Sequence, residues 1–274
     1  MSRPPVRTPA DADAAYAAAQ RVVEIHRRLS EFLAHGQTLA EIDAFVGGSL
    51  ADLGCKSCFF KYAPGRMPPF PSQACLSVND CVVHGTAGYR AEPLVEGDVL
   101  KIDIGVSYRG WIGDAAWTYV FGQPTPEVVK LCEAGKESLR RGIATIGPDT
   151  ELIEWARAVQ GCVHDDYGFH LIRGLGGHGY GRKLHAPPFV SNTVPASSFE
   201  WPESRSCPEP GTLIALEPML AVGTGQTTQA PRSWPIYSAD GSMTVHYEHD
   251  VLVTESGNKL LTEGLDDLED VITR

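Results

Sequence analysis

Three kinds of segment are missing from this chain of 274 residues, and each absence excludes a class of protein. No apolar run approaches the roughly 20 residues of a membrane-spanning helix, so we expect no membrane association. No dense block of Lys and Arg occurs and the net charge is −11, so binding to DNA has no electrostatic basis. The N-terminus lacks the apolar core of a signal peptide, which favours a cytoplasmic protein.

Cysteine is present, but not in the pattern of a disulfide framework or a zinc finger. The seven cysteines are an odd number scattered along the chain, which is typical of reduced thiols. Cys55 and Cys58 form a C-x-x-C pair, yet no second pair stands at zinc-finger spacing and no thioredoxin-like sequence surrounds it. We therefore do not assign a redox or zinc function to this pair.

The pattern of apolar residues predicts mixed α and β structure, an α+β chain, after a loose arm over residues 1–9. Helices are predicted from Asp11 to about Leu33, over 38–53 with a Thr38–Glu41 capping box, over about 127–144, and from Thr150, which opens the helix, to about Asp165, with Gly168 after it. The predicted strands lie within 75–78, 81–84, 95–106, 111–121 as the partner of 95–106, 209–220 and 244–254.

The second part of the chain repeats the signals of the first. The matched positions are Thr38 with Thr150, Gly54 with Gly168 and Gly97 with Gly211, which are 112, 114 and 114 positions apart. This spacing predicts two half-repeats, about 10–122 and 126–256, related by a pseudo-twofold axis within one catalytic domain of residues 10–274. Chance spacing is the alternative, because the identity between the halves is low.

A glycine-rich segment at 174–188 contains five glycines and two histidines, His178 and His185, within twelve residues. Glycine permits positive φ and a close approach of another group. Imidazole is the commonest side chain for binding a metal or moving a proton near neutral pH. Alone, the segment fits a functional loop and an ordinary glycine-rich loop equally well.

Four carboxylates stand within or beside apolar strands, where burial is costly unless the acid is paired or binds a metal. They are Asp103, Asp114, Glu217 and Glu248. A salt bridge or a position at a strand end would explain any one of them. Four such acids with His178 suit Mn²⁺, Fe²⁺, Co²⁺ or Zn²⁺, and this many anionic oxygens favour two metal ions.

Five segments, taken together, resemble the type 1 methionine aminopeptidases of the creatinase-like "pita-bread" metallopeptidases. The segments are Ser77–Gly85, Lys101–Gly105 with Gly113-Asp114, Gly176–His185, Leu216–Met219 and Tyr247–His249. They occur in the family's order, and the resemblance covers roughly residues 10–256. It implies a pita-bread fold, in which two pseudo-twofold-related helix pairs cover an antiparallel-rich curved sheet.

The resemblance implies a dinuclear metal site in a hydrolase that removes the initiator methionine. Its five ligands would be Asp103, Asp114, His178, Glu217 and Glu248. A metal-bridging hydroxide would attack the first peptide bond. Glu217 would shuttle a proton to the leaving amine, while His84 and His185 would donate hydrogen bonds to the scissile peptide.

The resemblance also implies an apolar pocket for the methionine side chain, lined by Phe70, Cys75 and Trp234. Two features depart from the family pattern at the rim of this pocket. The stretch 62–70 is several residues longer than usual and rich in proline, and Leu184 stands where an aromatic residue is common. Both departures touch the rim of the substrate site, so the resemblance alone does not determine the preference of this chain for methionine.

The expected partners are peptides with an N-terminal methionine and nascent polypeptides, with transient ribosome contact and a monomeric enzyme. Two other interpretations compete with this one. Prolidases and aminopeptidases P share the C-terminal fold but carry a large N-terminal domain, for which the residues before Asp103 leave no room. Some members of the fold have lost ligands and act as binding proteins, whereas all five ligand positions are filled here.

Overall fold

The computed structural model describes residues 4–274, which contain four α-helices. Their bounds are α1 (Pro9–Phe32), α2 (Leu39–Asp52), α3 (Pro126–Ile143) and α4 (Ile153–Gln160). The predicted capping box of α2 is confirmed, since the Thr38 side chain accepts from the Glu41 N–H and Glu41 accepts in return. A second capping box, at Thr8, begins α1 two residues before the predicted start, so Pro9 is helical. Residues 1–3 of the expected arm lie outside the described residues.

The fourth helix differs from its prediction at its start and in its last two turns. Thr150 does not cap it; Leu152 precedes the first helical residue and provides no side-chain hydrogen bond. After α4 the chain continues as a π-helix over Gly161–Tyr167, which ends at Gly168 with a φ of 75°. The predicted end at glycine is therefore confirmed, whereas the predicted threonine cap is wrong.

The described residues also contain sixteen strands, most of them short. They are β1 (Lys56–Ser57), β2 (Cys75–Val78), β3 (Cys81–Val83), β4 (Val99–Tyr108), β5 (Trp111–Phe121), β6 (His170–Leu171), β7 (Gly176–Tyr180), β8 (Ala186–Ser191), β9 (Leu213–Leu216), β10 (Met219–Ala221), β11 (Thr227–Thr228), β12 (Ile236–Ser238), β13 (Thr244–His246), β14 (His249–Thr254), β15 (Gly257–Leu260) and β16 (Val271–Ile272). A 3₁₀-helix covers Pro202–Arg205.

Two five-stranded sheets form the frame of the molecule. The first has the order β1-β4-β5-β16, with β2 also paired to β4, and the second has the order β15-β14-β9-β7-β8. Strand pairs are antiparallel, except that β16 lies parallel to β5. Each sheet follows a helix pair in the chain, so the α+β class and the helix-covered antiparallel sheets of the pita-bread fold are confirmed.

Helix α1 lies directly on the first sheet beside one of the predicted ligands. A Cβ at Gly113 of β5 would meet the Ala18 carbonyl oxygen of α1 at 2.6 Å, so glycine is required for this close approach. The apolar face of α1, including Val22, Ile25 and Leu29, is fully buried. The packing fixes β5, and therefore Asp114, against the helix.

The two strands predicted within 209–220 and over 244–254 are each interrupted. β9 pairs with β14 on one side of the interruption, and β10 pairs with β13 on the other. Pro218 lacks an N–H to continue the ladder, and the Glu248 N–H donates to Ala116 of β5 (2.9 Å) rather than to its neighbouring strand. Glu217 and Glu248 therefore stand in facing gaps between strands.

Within residues 4–274, none of the helices has both the length and the apolar character that crossing a membrane requires.

Candidate active site

The ten site residues predicted from the sequence all line one cavity of about 200 Å³. They are Phe70, Cys75, His84, Asp103, Asp114, His178, His185, Glu217, Trp234 and Glu248. The cavity lies where β4 and β5 of the first sheet meet β7 and the gaps beside β9 and β14 of the second. Residues from both halves of the chain therefore contribute to one site.

Asp114, His178 and Glu248 offer ligand atoms that all lie within 4.8 Å of one another. His178 Nε2 is 3.8 Å from Asp114 Oδ2 and 3.8 Å from Glu217 Oε1, which is too far for a hydrogen bond. The other ring nitrogen, Nδ1, is 3.2 Å from the Gly179 carbonyl oxygen and can bond to it only as a donor. In that tautomer the lone pair of Nε2 faces the two carboxylates, as in a metal-binding histidine.

The pKa of the His178 ring is lowered to about 4, first by burial and then by the nearby His185. The imidazole is therefore neutral at neutral pH and cannot form an ion pair with Asp114 or Glu217. A neutral ring beside two carboxylates leaves their charge uncompensated by protein groups.

The four carboxylates have pKa values raised well above the usual range, in each case chiefly by burial. Repulsion between the acids adds to this: Glu217 acts on Asp103, Asp103 on Asp114, and Asp114 on both glutamates. One oxygen of Asp103 and one of Asp114 are buried without a hydrogen-bond partner. Divalent cations would satisfy these oxygens and offset the repulsion.

The glycine-rich segment is a hairpin of β7 and β8 rather than the expected loop. A Cβ at Gly177 would meet the Ala215 carbonyl oxygen of β9 at 2.2 Å, so the glycine allows the strand backbones to approach closely. The close approach that glycine was expected to permit is therefore, at Gly177, an approach of the neighbouring strand. The hairpin brings the rings of His178 and His185 to a centroid distance of 4.4 Å.

His84 reaches the cavity from the end of β3, in a conformation that few non-glycine residues adopt. Its φ is +59°, and such strain is concentrated at functional sites. The ring packs edge-on against Trp234 with centroids 6.0 Å apart. Burial lowers the pKa of His84 to about 4, so the neutral ring has one N–H to donate.

The predicted methionine pocket forms the apolar part of the cavity. Phe70 and Cys75 are buried, and Phe70 packs edge-on against Trp234 at 5.1 Å. Two further residues, Phe59 and Leu184, complete the lining. Leu184 was identified in the sequence only as a departure at the rim, and Phe59 lacks any motif that could have revealed it.

Three polar residues near the carboxylates were not found by sequence reasoning. His246 Nε2 lies 3.4 Å from Glu217 Oε2, and Asp250 Oδ2 accepts from the Asp114 N–H at 2.8 Å. The Tyr62 hydroxyl lies 3.0 Å from His185 Nδ1. The positions of His246 and Asp250, each two residues from Glu248, were the only available signal.

A second cavity of about 220 Å³ adjoins the first and shares His84, His178 and His185 with it. Its remaining walls include Leu175, Phe189 and other apolar side chains. Asp103 and Glu217 line both cavities, so they lie between the apolar pocket and a second space that can receive more of an extended ligand.

Comparison with known proteins gives consistent matches over almost the whole chain. The model of metallopeptidase family M24 matches residues 13–255. A methionine aminopeptidase of Aquifex aeolicus is 36% identical over 247 residues, which cover 90% of this chain and 93% of that protein. The crystal structure of a methionine aminopeptidase from Thermotoga maritima superposes with a TM-score of 0.85 at 29% identity, covering 95% of this chain and 99% of that one.

A prolidase from Pyrococcus furiosus shares the fold, with a TM-score of 0.72 at 21% identity. The match covers 94% of this chain but only 65% of the prolidase. The prolidase therefore has additional residues outside the shared fold, which is consistent with the large N-terminal domain expected of that class.

Proposed function

Since the chain belongs to metallopeptidase family M24, we propose that it is a metal-dependent aminopeptidase that removes the N-terminal methionine from peptides and new polypeptides. The observation that carries the proposal is the convergence of four carboxylates, three histidines and an apolar pocket on one cavity. The relatives named as methionine aminopeptidases support the choice of substrate.

The donor set fits two divalent cations, held by Asp103, Asp114, His178, Glu217 and Glu248. Hard carboxylate oxygens with one imidazole suit Mn²⁺, Fe²⁺, Co²⁺ or Zn²⁺. The partnerless oxygens of Asp103 and Asp114 support this assignment, because a buried acid without a partner is costly. When bound, such cations act as Lewis acids that polarise the peptide carbonyl and make water a stronger nucleophile.

The residues around the cations would orient the peptide and move its protons. Glu217 would accept a proton from the attacking water on one carboxylate oxygen and pass it to the departing amine. His84 and His185 would each donate an N–H to the scissile peptide and stabilise charge that develops on it.

The apolar part of the cavity would hold the methionine side chain. Phe70, Trp234 and Cys75 provide aromatic faces and a sulfur atom, a lining that suits a flexible thioether. The adjoining cavity would receive the residues after the methionine.

A peptide panel tests the proposal against the prolidase alternative. Peptides beginning Met-Ala, Ala-Ala and Xaa-Pro would be offered to the Mn²⁺- or Co²⁺-loaded protein, and release of the first residue would be measured. We expect the Met-Ala peptide to be cleaved fastest. Preferential cleavage of Xaa-Pro would overturn the assignment.

Chelation tests the alternative that the chain is a binding protein without activity. We expect hydrolysis to disappear with a chelator and to return on addition of Mn²⁺ or Co²⁺. Binding of Met-Ala peptides without hydrolysis in any metal-loaded form would favour the binding protein.

We further propose that the enzyme acts on its substrates in the cytoplasm. It would do so as a monomer that contacts the ribosome transiently. Co-sedimentation with translating ribosomes at low and moderate salt would test the contact. Analytical ultracentrifugation of the metal-loaded protein would test the oligomeric state.

A further inference from the structure

The Tyr62 side chain contacts the imidazole of His185 from outside the group of five candidate ligands. Its hydroxyl oxygen is 3.0 Å from His185 Nδ1, and the two rings are tilted by 47° with centroids 5.5 Å apart. His185 is exposed at the mouth of the cavity. An exposed ring rotates freely unless a partner holds it, so this contact decides which nitrogen faces the cavity.

The long proline-rich stretch 62–70 holds Tyr62 in place. The Phe70 N–H donates to the Tyr62 carbonyl and the Lys61 N–H donates to the Phe70 carbonyl, both at 2.8 Å, so the two ends of the stretch are joined. The Trp234 Nε1–H donates to the Pro68 carbonyl at 3.0 Å. The stretch is thus fixed to Trp234 at Pro68, while Tyr62 at its start contacts His185.

The chemistry of the pair limits how it can act. A neutral imidazole has one N–H and one acceptor nitrogen, so the bond at Nδ1 determines what Nε2 can do. If the phenol donates to Nδ1, the ring proton lies on Nε2, and Nε2 is then a donor.

We propose that Tyr62 is a positioning residue: its hydroxyl donates to His185 Nδ1 and holds the ring in the tautomer whose Nε2–H bonds the scissile peptide. This inference rests on the proposed function, because it assumes that His185 faces a peptide. It gives the extended 62–70 stretch a role in the rate of hydrolysis as well as in shaping the methionine pocket.

Kinetics of Tyr62→Phe test the proposal, since the substitution removes the hydroxyl and keeps the ring. Loss of one orienting hydrogen bond should lower kcat on a Met-Ala peptide by about two- to tenfold, with little change in KM. Tyr16→Phe is the matched control, since its hydroxyl also has one partner, Glu263 at 2.5 Å, and neither residue lines the cavity. The control should keep the parent kcat.

A double-mutant cycle separates action through His185 from a direct effect on the pocket. In a His185→Ala background, Tyr62→Phe should cause no further loss of kcat. An equal loss in both backgrounds, or a loss that appears only in KM, would overturn the proposal.

Nitrogen-15 NMR of the zinc-loaded protein, labelled at histidine, reads the tautomer without any turnover. The His185 signals, assigned with His185→Ala, should show Nε2 protonated in the parent and a mixture of tautomers in Tyr62→Phe. A parent protonated at Nδ1 would contradict the proposal. If the parent shows this tautomer but hydrolyses no peptide, the proposed function is contradicted. The proposal that Tyr62 sets the tautomer of His185 is then still supported.

Discussion

Glu217 lies between two imidazoles, with His246 Nε2 3.4 Å from its Oε2 and His178 Nε2 3.8 Å from its Oε1. Burial lowers the pKa of His246 to about 3, with a smaller contribution from His84, so this ring is neutral. His246 belongs to β13 and is paired with Met219 of β10, on the far side of the gap that contains Glu217. The carboxylate is therefore confined by rigid elements on both sides.

Replacing Glu217 by Gln should abolish most hydrolysis, because an amide cannot accept and release the proton. We expect kcat to fall by about 10²- to 10⁴-fold, the usual contribution of a general acid or base, with further loss if metal affinity falls. The measurement is the rate of methionine release at saturating metal. Glu209→Gln, at an exposed position, is the control, and an E217Q variant with parental kcat would contradict the role.

His178→Ala and His185→Ala should fail in different ways. His178→Ala removes an imidazole whose lone pair faces Asp114 and Glu217, so it should lose bound metal as well as rate. His185→Ala should keep the metal and lose rate alone. Metal content per chain of the two purified variants distinguishes them, with exposed His170→Ala as a control; equal metal content in both would refute the division of roles.

Removing the metal should destabilise the protein more as the pH rises. The four carboxylates have raised pKa values in the absence of cations, so the folded state binds more protons than the unfolded state above pH about 4. Their contribution to stability is therefore present at low pH and is lost as the pH rises through the folded-state values.

The measurable quantity is the Tm difference between metal-loaded and chelated protein. We expect this difference to widen as the pH rises above about 4, where the same acids ionise in the unfolded chain. The folded chelated protein must then keep its acids protonated or bear their repulsion, whereas bound cations would neutralise them. A Tm difference that narrows with rising pH would contradict the prediction.

Phe70→Leu should weaken the preference for methionine. The smaller side chain removes part of the edge-on contact with Trp234 and of the apolar lining. A loss of roughly 1–3 kcal/mol in transition-state binding is typical of such a change in a hydrophobic pocket, which corresponds to at least about a fivefold fall in kcat/KM for Met-Ala peptides. Phe60→Leu, at a neighbouring side chain that is 42% exposed, should leave kcat/KM unchanged.

Gly177→Ala should destabilise the fold and displace His178. The added methyl group would lie 2.2 Å from the Ala215 carbonyl oxygen, so β7 and β9 would have to separate. Overpacking of this kind typically costs about 1–3 kcal/mol in the free energy of unfolding. Thermal unfolding and metal content should both fall. Gly88→Ala, where no atom lies within 4 Å of the new methyl group, is the control.

Much of the fold follows from local signals in the sequence. The Thr38–Glu41 capping box, the β4–β5 pair and the glycine after the π-helix depend on residues near one another in the chain, and the structure confirms them. The four acids stood out because such residues are rare in apolar strands, and His178 and His185 stood out in the glycine-rich segment. The resemblance to the type 1 methionine aminopeptidases supplied His84, the pocket residues and the roles of all ten. Once the fold is known, it brings these ten residues to one cavity.

The errors arise where distant contacts override local pattern. Periodicity could not reveal that β13 and β14 are separate strands. The interruption lies at Glu248, whose N–H bonds to the Ala116 carbonyl oxygen in the other half of the chain. The glycines of β7 predict a loop from sequence alone, because the backbone atoms that leave no room for side chains belong to other residues, Ala215 at Gly177 and Pro187 at Gly179. Tyr62 and His185 are 123 positions apart, and no local signal predicts their contact.

The pairing of β16 with β5 has a consequence for how the protein matures. Val271 and Ile272 complete the first sheet beside the strand that carries Asp114, and the Glu248 N–H bonds to the Ala116 carbonyl oxygen of that same strand. Contacts this distant in sequence form slowly. During synthesis, therefore, the five candidate ligands can meet only after the chain has been made as far as Glu248. Cations should bind to the full set of ligands only late in the synthesis of the chain.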